Sequence, residues 1–193
     1  MLKDKLKKYK IILASGSPRR QQFFIDLGID FEIKLKEVAE IYPENLQGIA
    51  ITDYLAELKA NSFTDELQEN EIVITSDTIV WLENIALGKP NDYHDAFEML
   101  TKMSGKTHEV ITSVCFKTYL KSETINCTTK VTFNHLDENE IKYYLDAFKP
   151  FDKAGSYGIQ EWIGLIGISK IEGSYTNVVG LPTDMVFNYL KKL

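Results

Sequence analysis

The chain has 193 residues, a length that suits one domain, or one domain with two lobes, around a substantial core. Hydrophobic residues make up 44% and charged residues 26%, which is ordinary for a globular protein and excludes a disordered one. The net charge of −6 argues against a general nucleic-acid binder, which is usually basic, but it allows a small anionic ligand held by a local cluster of cations.

The N-terminus and the cysteines predict a cytoplasmic protein. The basic residues 1–10 are not followed by an apolar segment, so we interpret them as a solvated leader into the first strand. No run of the sequence is long enough to span a membrane. Cys115 and Cys127 are isolated and lack paired histidines, which predicts a reducing compartment and no zinc site.

The pattern of apolar residues predicts strands and helices that are intermixed along the chain. The first half is predicted to contain a strand at 11–14, a helix from Ser17-Pro18 to Gly28, a strand at 30–35, a helix at 49–63 with Tyr54, Leu55 and Leu58 buried, and a strand at 71–82. The second half is predicted to contain a turn at Glu83-Asn84, a helix at 91–103, strands at about 107–120 and 123–134, a helix from Asp137 to Phe148 with Glu140 completing a capping box, a loop at 150–160, a strand at 162–169 and a helix after Pro182. This order predicts an α/β fold with a mixed β-sheet.

Asp77 is the most anomalous residue of the predicted strands. It lies in the β-branched run 71–82, where aspartate is rare and burial of an unpartnered carboxylate is unfavourable. One interpretation is a bulge or turn at Ser76-Asp77 that faces water. The other is a metal ligand or a general base for water, because perturbed carboxylates cluster at functional sites.

Residues 15–20 (SGSPRR) join the first predicted strand to the first predicted helix. The first turn of a helix offers free backbone N–H groups to a phosphate. Arg19 and Arg20 place two cations in this turn, where cations are otherwise disfavoured, which indicates a compensating anion. The alternative is two solvated arginines on an exposed turn.

The segment 152–160 (DKAGSYGIQ) is the third candidate. Its glycines allow tight backbone geometry, Lys153 supplies a charge and Gln160 can form paired hydrogen bonds to a base edge. Taken by itself, the pattern favours an ordinary surface loop. Lys59, Lys89 and Glu37 carry no signal alone. The sequence has no GxxxxGK[ST] loop, no GxGxxG fingerprint and no HExxH motif.

In their order and spacing, these segments resemble the Maf family of nucleotide pyrophosphatases over nearly the whole chain. The matching motifs are LASGSPRR (13–20), an acid at Glu37, LAELKA (55–60), SDTIV (76–80), LGKP (87–90), KVTF (130–133), FDKAGSYGIQ (151–160) and NVVGLP (177–182). The resemblance implies one Maf-like domain over residues 1–193, with an elongated, two-lobed Maf/ITPase-like fold and a central cleft. It also implies pyrophosphate release that depends on a divalent metal, Mg²⁺ or Mn²⁺.

The resemblance assigns roles to individual residues. Asp77 corresponds to the proton acceptor of the family, and the other matching site positions are Ser15, Arg19, Glu37, Lys59, Lys89, Lys153 and Gln160. We expect Asp77 and Glu37 to bind the metal, with Lys59 and Lys89 stabilising the leaving group. We expect Ser15, Arg19, Arg20, Thr78, Lys153 and Gln160 to bind the substrate.

The substrate prediction depends on Arg19, Thr78 and Gln160, which match the dTTP/UTP branch of the family and not the branch that acts on 7-methyl-GTP. Glu161 and Trp162 depart from the family, which usually has glycine after Ile-Gln. They leave open a pyrophosphatase for a modified or non-standard nucleotide. A further alternative is a nucleotide-binding regulator of cell division. We expect no stable nucleic-acid or membrane partner, and the resemblance is compatible with a homodimer.

Overall fold

The computed structural model describes residues 2–193. Its helices are α1 (Leu2–Leu6), α2 (Pro18–Asp26), α3 (Ile49–Asn61), α4 (Tyr93–Met103), α5 (Glu138–Phe148), α6 (Trp162–Gly167), α7 (Tyr175–Val179) and α8 (Thr183–Lys192), with 3₁₀ turns at Thr64–Glu66 and Ala154–Ser156. Its strands are β1 (Lys10–Leu13), β2 (Glu32–Ile33), β3 (Glu71–Leu82), β4 (Ile85–Leu87), β5 (Thr107–Lys117), β6 (Ser122–Phe133) and β7 (Ile168–Glu172). No helix within residues 2–193 is long and apolar enough to cross a membrane.

The strands form a seven-stranded sheet in the order β2-β1-β3-β5-β6-β7, with β4 paired to β3. β1 is parallel to both β2 and β3, whereas β4 is antiparallel to β3 and β7 is antiparallel to β6. The predicted α/β class and mixed sheet are therefore confirmed.

The chain divides into two compact units. Unit 1 contains the part of the chain up to Asp77, Thr112–Cys127 and Gly180–Leu193, and unit 2 contains Thr78–Ile111 and Thr128–Val179. The core of unit 1 is formed by apolar residues of β1, α2, the start of β3, β5 and α8. The core of unit 2 is formed by the end of β3, α4, β6, α5 and the segment around Tyr157 and Ile159.

Local signals explain several elements. The Ser17 hydroxyl caps α2 by accepting from Arg20 N, and Pro18 occupies the first turn, where a missing N–H has no consequence. Asp137 and Glu140 form the predicted capping box of α5. Glu83 and Asn84 both have positive φ, the backbone of a tight hairpin turn, which directs β4 back along β3.

Four predictions need correction. The run 162–169 is not a strand, because Trp162–Gly167 is helical and the strand begins only at Ile168.

Tyr54 is 37% exposed and Leu58 is only partly buried. The residues that α3 buries instead are Ile51, Thr52, Leu55, Ala56 and Ala60. The strand predicted at 30–35 is limited to Glu32–Ile33. Within the predicted N-terminal leader, Leu2–Leu6 forms a helix that buries Leu6.

Candidate active site

Asp77 lies within β3 and only 6% of its surface is exposed, which excludes a turn that faces water. Lys59, in the last turn of α3, donates from Nζ to Asp77 Oδ1 over 2.6 Å. The position of α3 against β3 is fixed nearby by the Thr75 hydroxyl, which donates to Ala56 O over 2.6 Å. The lysine compensates for burial of the carboxylate, as a buried charge requires.

Glu40 is the second carboxylate on Lys59. The Lys59 Nζ lies 2.9 Å from Glu40 Oε1, and the Glu40 side chain is 52% exposed. Glu37 lies in the same irregular segment between β2 and α3, but it is exposed, and within residues 2–193 it forms no ion pair with Lys59. We name Lys59, Asp77 and Glu40 the Lys59 cluster; it includes an acid that the sequence interpretation missed.

Ser15 lies in the loop between β1 and α2. This loop runs beside β3 because β1 and β3 are parallel, with Leu13 opposite Ile74. Ser15 is 6% exposed, and its hydroxyl oxygen accepts from Ser17 N over 3.3 Å and from Arg20 Nη1 over 3.5 Å. Ser15 and Arg20, each predicted to bind the substrate, therefore lie within hydrogen-bond distance of each other.

Arg20 points into unit 1 rather than into water. Its Nη1 donates to Ser76 O over 2.9 Å, and its Nε donates to Gly180 O over 2.8 Å. Burial lowers the pKa of Arg20, while the negative charge of Asp77 opposes that change and the positive charge of Arg19 adds to it. Arg20 thus fixes the backbone beside Asp77, and the half-buried Arg19 adds a second positive charge in the first turn of α2.

In unit 2, Lys153 is nearly buried, with a side chain only 10% exposed. Its Nζ lies 2.7 Å from Asp152 Oδ1 and 3.1 Å from Glu161 Oε1. Lys89 and Gln160 are exposed, and Thr78 is half-buried. Among the predicted residues of unit 2, the structure thus holds Lys153 in ion pairs and leaves Lys89 and Gln160 on the surface.

The chain is similar to known proteins in sequence and in fold. A family model described as "Maf-like protein" matches residues 10–193. The chain belongs to the Maf family. All ten site residues predicted from the sequence lie within the part of the chain that the family model matches.

The Maf chain has close relatives named "dTTP/UTP pyrophosphatase". A protein of Flavobacterium psychrophilum is 66% identical over 190 residues, covering 98% of this chain and 97% of the relative. A protein of Flavobacterium johnsoniae is 63% identical over 193 residues, covering 100% of both chains. The solved structure of the Staphylococcus aureus Ham1 protein has a TM-score of 0.55 at 14% identity and covers 95% of this chain and 98% of that chain, which indicates a shared fold.

The donor atoms of this Maf chain fit one kind of metal ion. No group of three or more His, Cys, Asp or Glu side chains within residues 2–193 is placed to hold an ion by itself. However, Lys59 brings two carboxylates, of Asp77 and Glu40, to a single amine. Mg²⁺ is commonly held by one or two carboxylates, with phosphate and water oxygens completing its shell. The carboxylates of Asp77 and Glu40 are therefore oxygen ligands of the type that Mg²⁺ takes.

Proposed function

We propose that the chain hydrolyses dTTP and UTP to the nucleoside monophosphate and pyrophosphate, with Mg²⁺ or Mn²⁺ as cofactor. The names of relatives at 66% and 63% identity support the substrate and the reaction. The single structural observation that supports hydrolysis is the buried pair of Asp77 and Lys59, joined over 2.6 Å. The lysine fixes the carboxylate in position, and a positioned carboxylate can act as a general base toward water.

Asp77 is proposed as the group that orients the attacking water and accepts its proton. The water oxygen forms a bond to the α-phosphorus, and the bond from that phosphorus to the bridging oxygen of the β-phosphate breaks. Pyrophosphate leaves with the electron pair of the broken bond. Lys59 stabilises the charge that develops on the phosphate oxygens, because a charge-assisted hydrogen bond contributes about 1.5–3 kcal/mol.

Asp77 and Glu40 are the residues that would hold the divalent ion, since both carboxylates contact Lys59. When bound, such an ion supplies an acidified water and neutralises phosphate charge. The involvement of Glu37 in metal binding stays a prediction. Ser15, Arg19 and Arg20 are proposed to bind phosphate at the N-terminus of α2, where the two arginines add charge to the positive end of the helix dipole.

The remaining assignments rest on the family resemblance. Lys89, Lys153, Gln160 and Thr78 are proposed as substrate-binding residues, with Lys89 also assigned to the leaving group. A single domain with two lobes, a homodimer and a cytoplasmic location stay predictions.

The proposal is tested with purified protein, Mg²⁺ or Mn²⁺, and a panel of standard and modified nucleoside triphosphates, by measuring monophosphate and pyrophosphate. We expect preferential turnover of dTTP and UTP that EDTA abolishes. Turnover of another nucleotide alone would refute the substrate, and tight binding without any turnover would refute hydrolysis.

Asp77→Asn keeps the shape of the side chain but removes its proton-accepting charge. We expect it to lower kcat by about 100-fold or more, the usual contribution of a general base. Asp65→Asn is the matched control, because Asp65 lies exposed in the turn Thr64–Glu66 of the same unit. An Asp77→Asn variant with wild-type turnover would remove Asp77 from the reaction.

A further inference from the structure

Glu161 replaces the glycine that the family resemblance predicts after Ile-Gln, and its carboxylate is held at both oxygens. Oε1 lies 3.1 Å from Lys153 Nζ, and Oε2 accepts a short hydrogen bond from the Tyr144 hydroxyl. We propose that Glu161 is a positioning residue, which fixes Lys153 and the backbone at Gly158 and thereby orients the neighbouring Gln160.

Tyr144 links Glu161 to the backbone of the segment 152–160. It is fully buried on α5, and its hydroxyl accepts from Gly158 N over 3.0 Å while it donates to Glu161. Burial, together with the hydrogen bond to Glu161, raises the pKa of Tyr144, so the hydroxyl keeps the proton that it donates. A hydrogen-bonded path thus runs from Lys153 through Glu161 and Tyr144 to Gly158.

The side chains of Gln160 and Glu161 lie together over Gly158. A Cβ at position 158 would lie 2.8 Å from Gln160 Nε2 and 2.8 Å from Glu161 Cδ. Because both side chains lie over Gly158, we expect removal of the Glu161 side chain to leave Gln160 less restricted.

Charge alone does not explain the arrangement. Lys153 already has Asp152 as a counterion at 2.7 Å, so a second carboxylate is not required to neutralise it. The Asp152 carboxylate is 58% exposed, whereas that of Glu161 is 19% exposed and has a buried phenol as its second partner. Glu161 therefore supplies fixed geometry that the exposed aspartate does not.

The kinetic consequence rests on the proposed function, in which Gln160 contacts the base and Lys153 the anion. The experiment compares Glu161→Gly with Glu161→Gln, using UTP and CTP as substrates. A glutamine can keep both contacts, because its amide oxygen accepts from Lys153 and its NH₂ group donates to the Tyr144 oxygen. A glycine removes both contacts. Both substitutions remove the same single negative charge.

We expect Glu161→Gly to lower the UTP-over-CTP ratio of kcat/KM by about fivefold or more, mainly through KM, which is the size of effect that one hydrogen bond gives. Glu161→Gln should stay within about twofold of the wild type. Glu138→Gly is the matched control, because Glu138 is also paired with a lysine but lies exposed at the start of α5. Equal losses in the Gly and Gln variants, or an unchanged ratio in the Gly variant, would overturn the inference.

A second measurement separates this inference from the proposed function. Amide hydrogen exchange at Gly158, followed by NMR without nucleotide, should be about tenfold faster in Glu161→Gly and in Tyr144→Phe, because the bond from Gly158 N to the phenol is loosened or lost. If the wild type hydrolyses no nucleotide, the proposed function fails, but the exchange rates still decide the positioning role. Unchanged exchange at Gly158 in Glu161→Gly would overturn that role.

Discussion

Replacement of Lys59 by methionine tests whether the lysine is required to keep Asp77 buried as a charge. Methionine keeps an unbranched side chain but removes the ammonium, so Asp77, 9% exposed at its side chain, loses its 2.6 Å partner. Glu40 also loses a partner, but it is 52% exposed, so water replaces that contact. Only the contact with Asp77 should therefore affect stability.

The expected loss of stability in Lys59→Met follows from the contact between Lys59 and Asp77. A charge-assisted hydrogen bond contributes about 1.5–3 kcal/mol, and breaking a fully buried ion pair costs about 3–5 kcal/mol. Arg20 also interacts electrostatically with Asp77, so the carboxylate keeps a positive charge nearby when Lys59 is removed. The expected loss therefore follows the lower range, that of a charge-assisted hydrogen bond. We expect Lys59→Met to lower the free energy of unfolding by about 2–3 kcal/mol, which is a fall in Tm of about 4–12 °C for a chain of this size.

The assay is urea unfolding with EDTA and without nucleotide, so that ligand binding does not contribute to stability. Asp77→Asn and the double variant complete a mutant cycle. Because the asparagine removes the buried charge, the double variant should be about 1–2 kcal/mol more stable than the sum of the single losses predicts. Additive losses, or a loss below about 0.5 kcal/mol for Lys59→Met, would refute the reasoning.

Two further predictions concern buried polar groups. Burial lowers the pKa of His108 to about 4, whereas a histidine in the unfolded chain has a pKa of about 6.5. As the pH falls from about 6.5 to about 4, the unfolded chain therefore binds a proton at His108 that the folded chain does not, and the folded state loses stability. From pH 7 to pH 5 the wild type should lose about 2 kcal/mol more than His108→Gln in urea unfolding, and an equal loss would contradict this origin. The Ser76 hydroxyl finds no hydrogen-bond partner among residues 2–193, so Ser76→Ala should be neutral or stabilise by up to about 1 kcal/mol, whereas Thr75→Val, which loses a bond to α3, should destabilise by about that amount. A clear loss in Ser76→Ala would show that the hydroxyl has a role.

The sequence predicts an element well where a chemical signal marks its ends. The Asp137 carboxylate accepts from the first backbone N–H groups of α5, and the Glu140 carboxylate accepts from Asp137 N. The start of that helix is therefore determined locally. Glu83 and Asn84 likewise mark a turn whose positive φ angles few residues adopt. Neither feature depends on distant parts of the chain.

The segment 162–169 shows why other elements are not predictable in this way. A short apolar run fits a buried strand and a buried helix equally well, so its pattern does not decide. The structure decides through close packing: a Cβ at Gly164 would lie 1.8 Å from Ile159 O, and Gly164 N donates to Glu161 O. Only a glycine permits this turn, and the contact partners become known only from the folded chain.

The Lys59 cluster shows the same division within the candidate site. Asp77 is detectable from the sequence because a carboxylate in a β-branched strand contradicts local preference, and such contradictions concentrate at functional sites. Glu40 is not detectable in this way, because it lies in an irregular segment where neither helical nor strand periodicity tells which acid contacts Lys59. Glu37 and Glu40 differ only in the fold, where the 2.9 Å contact with Lys59 selects Glu40. The sequence pattern of β3 therefore identifies Asp77, whereas Glu40 is identified only through its contact with Lys59 in the folded chain.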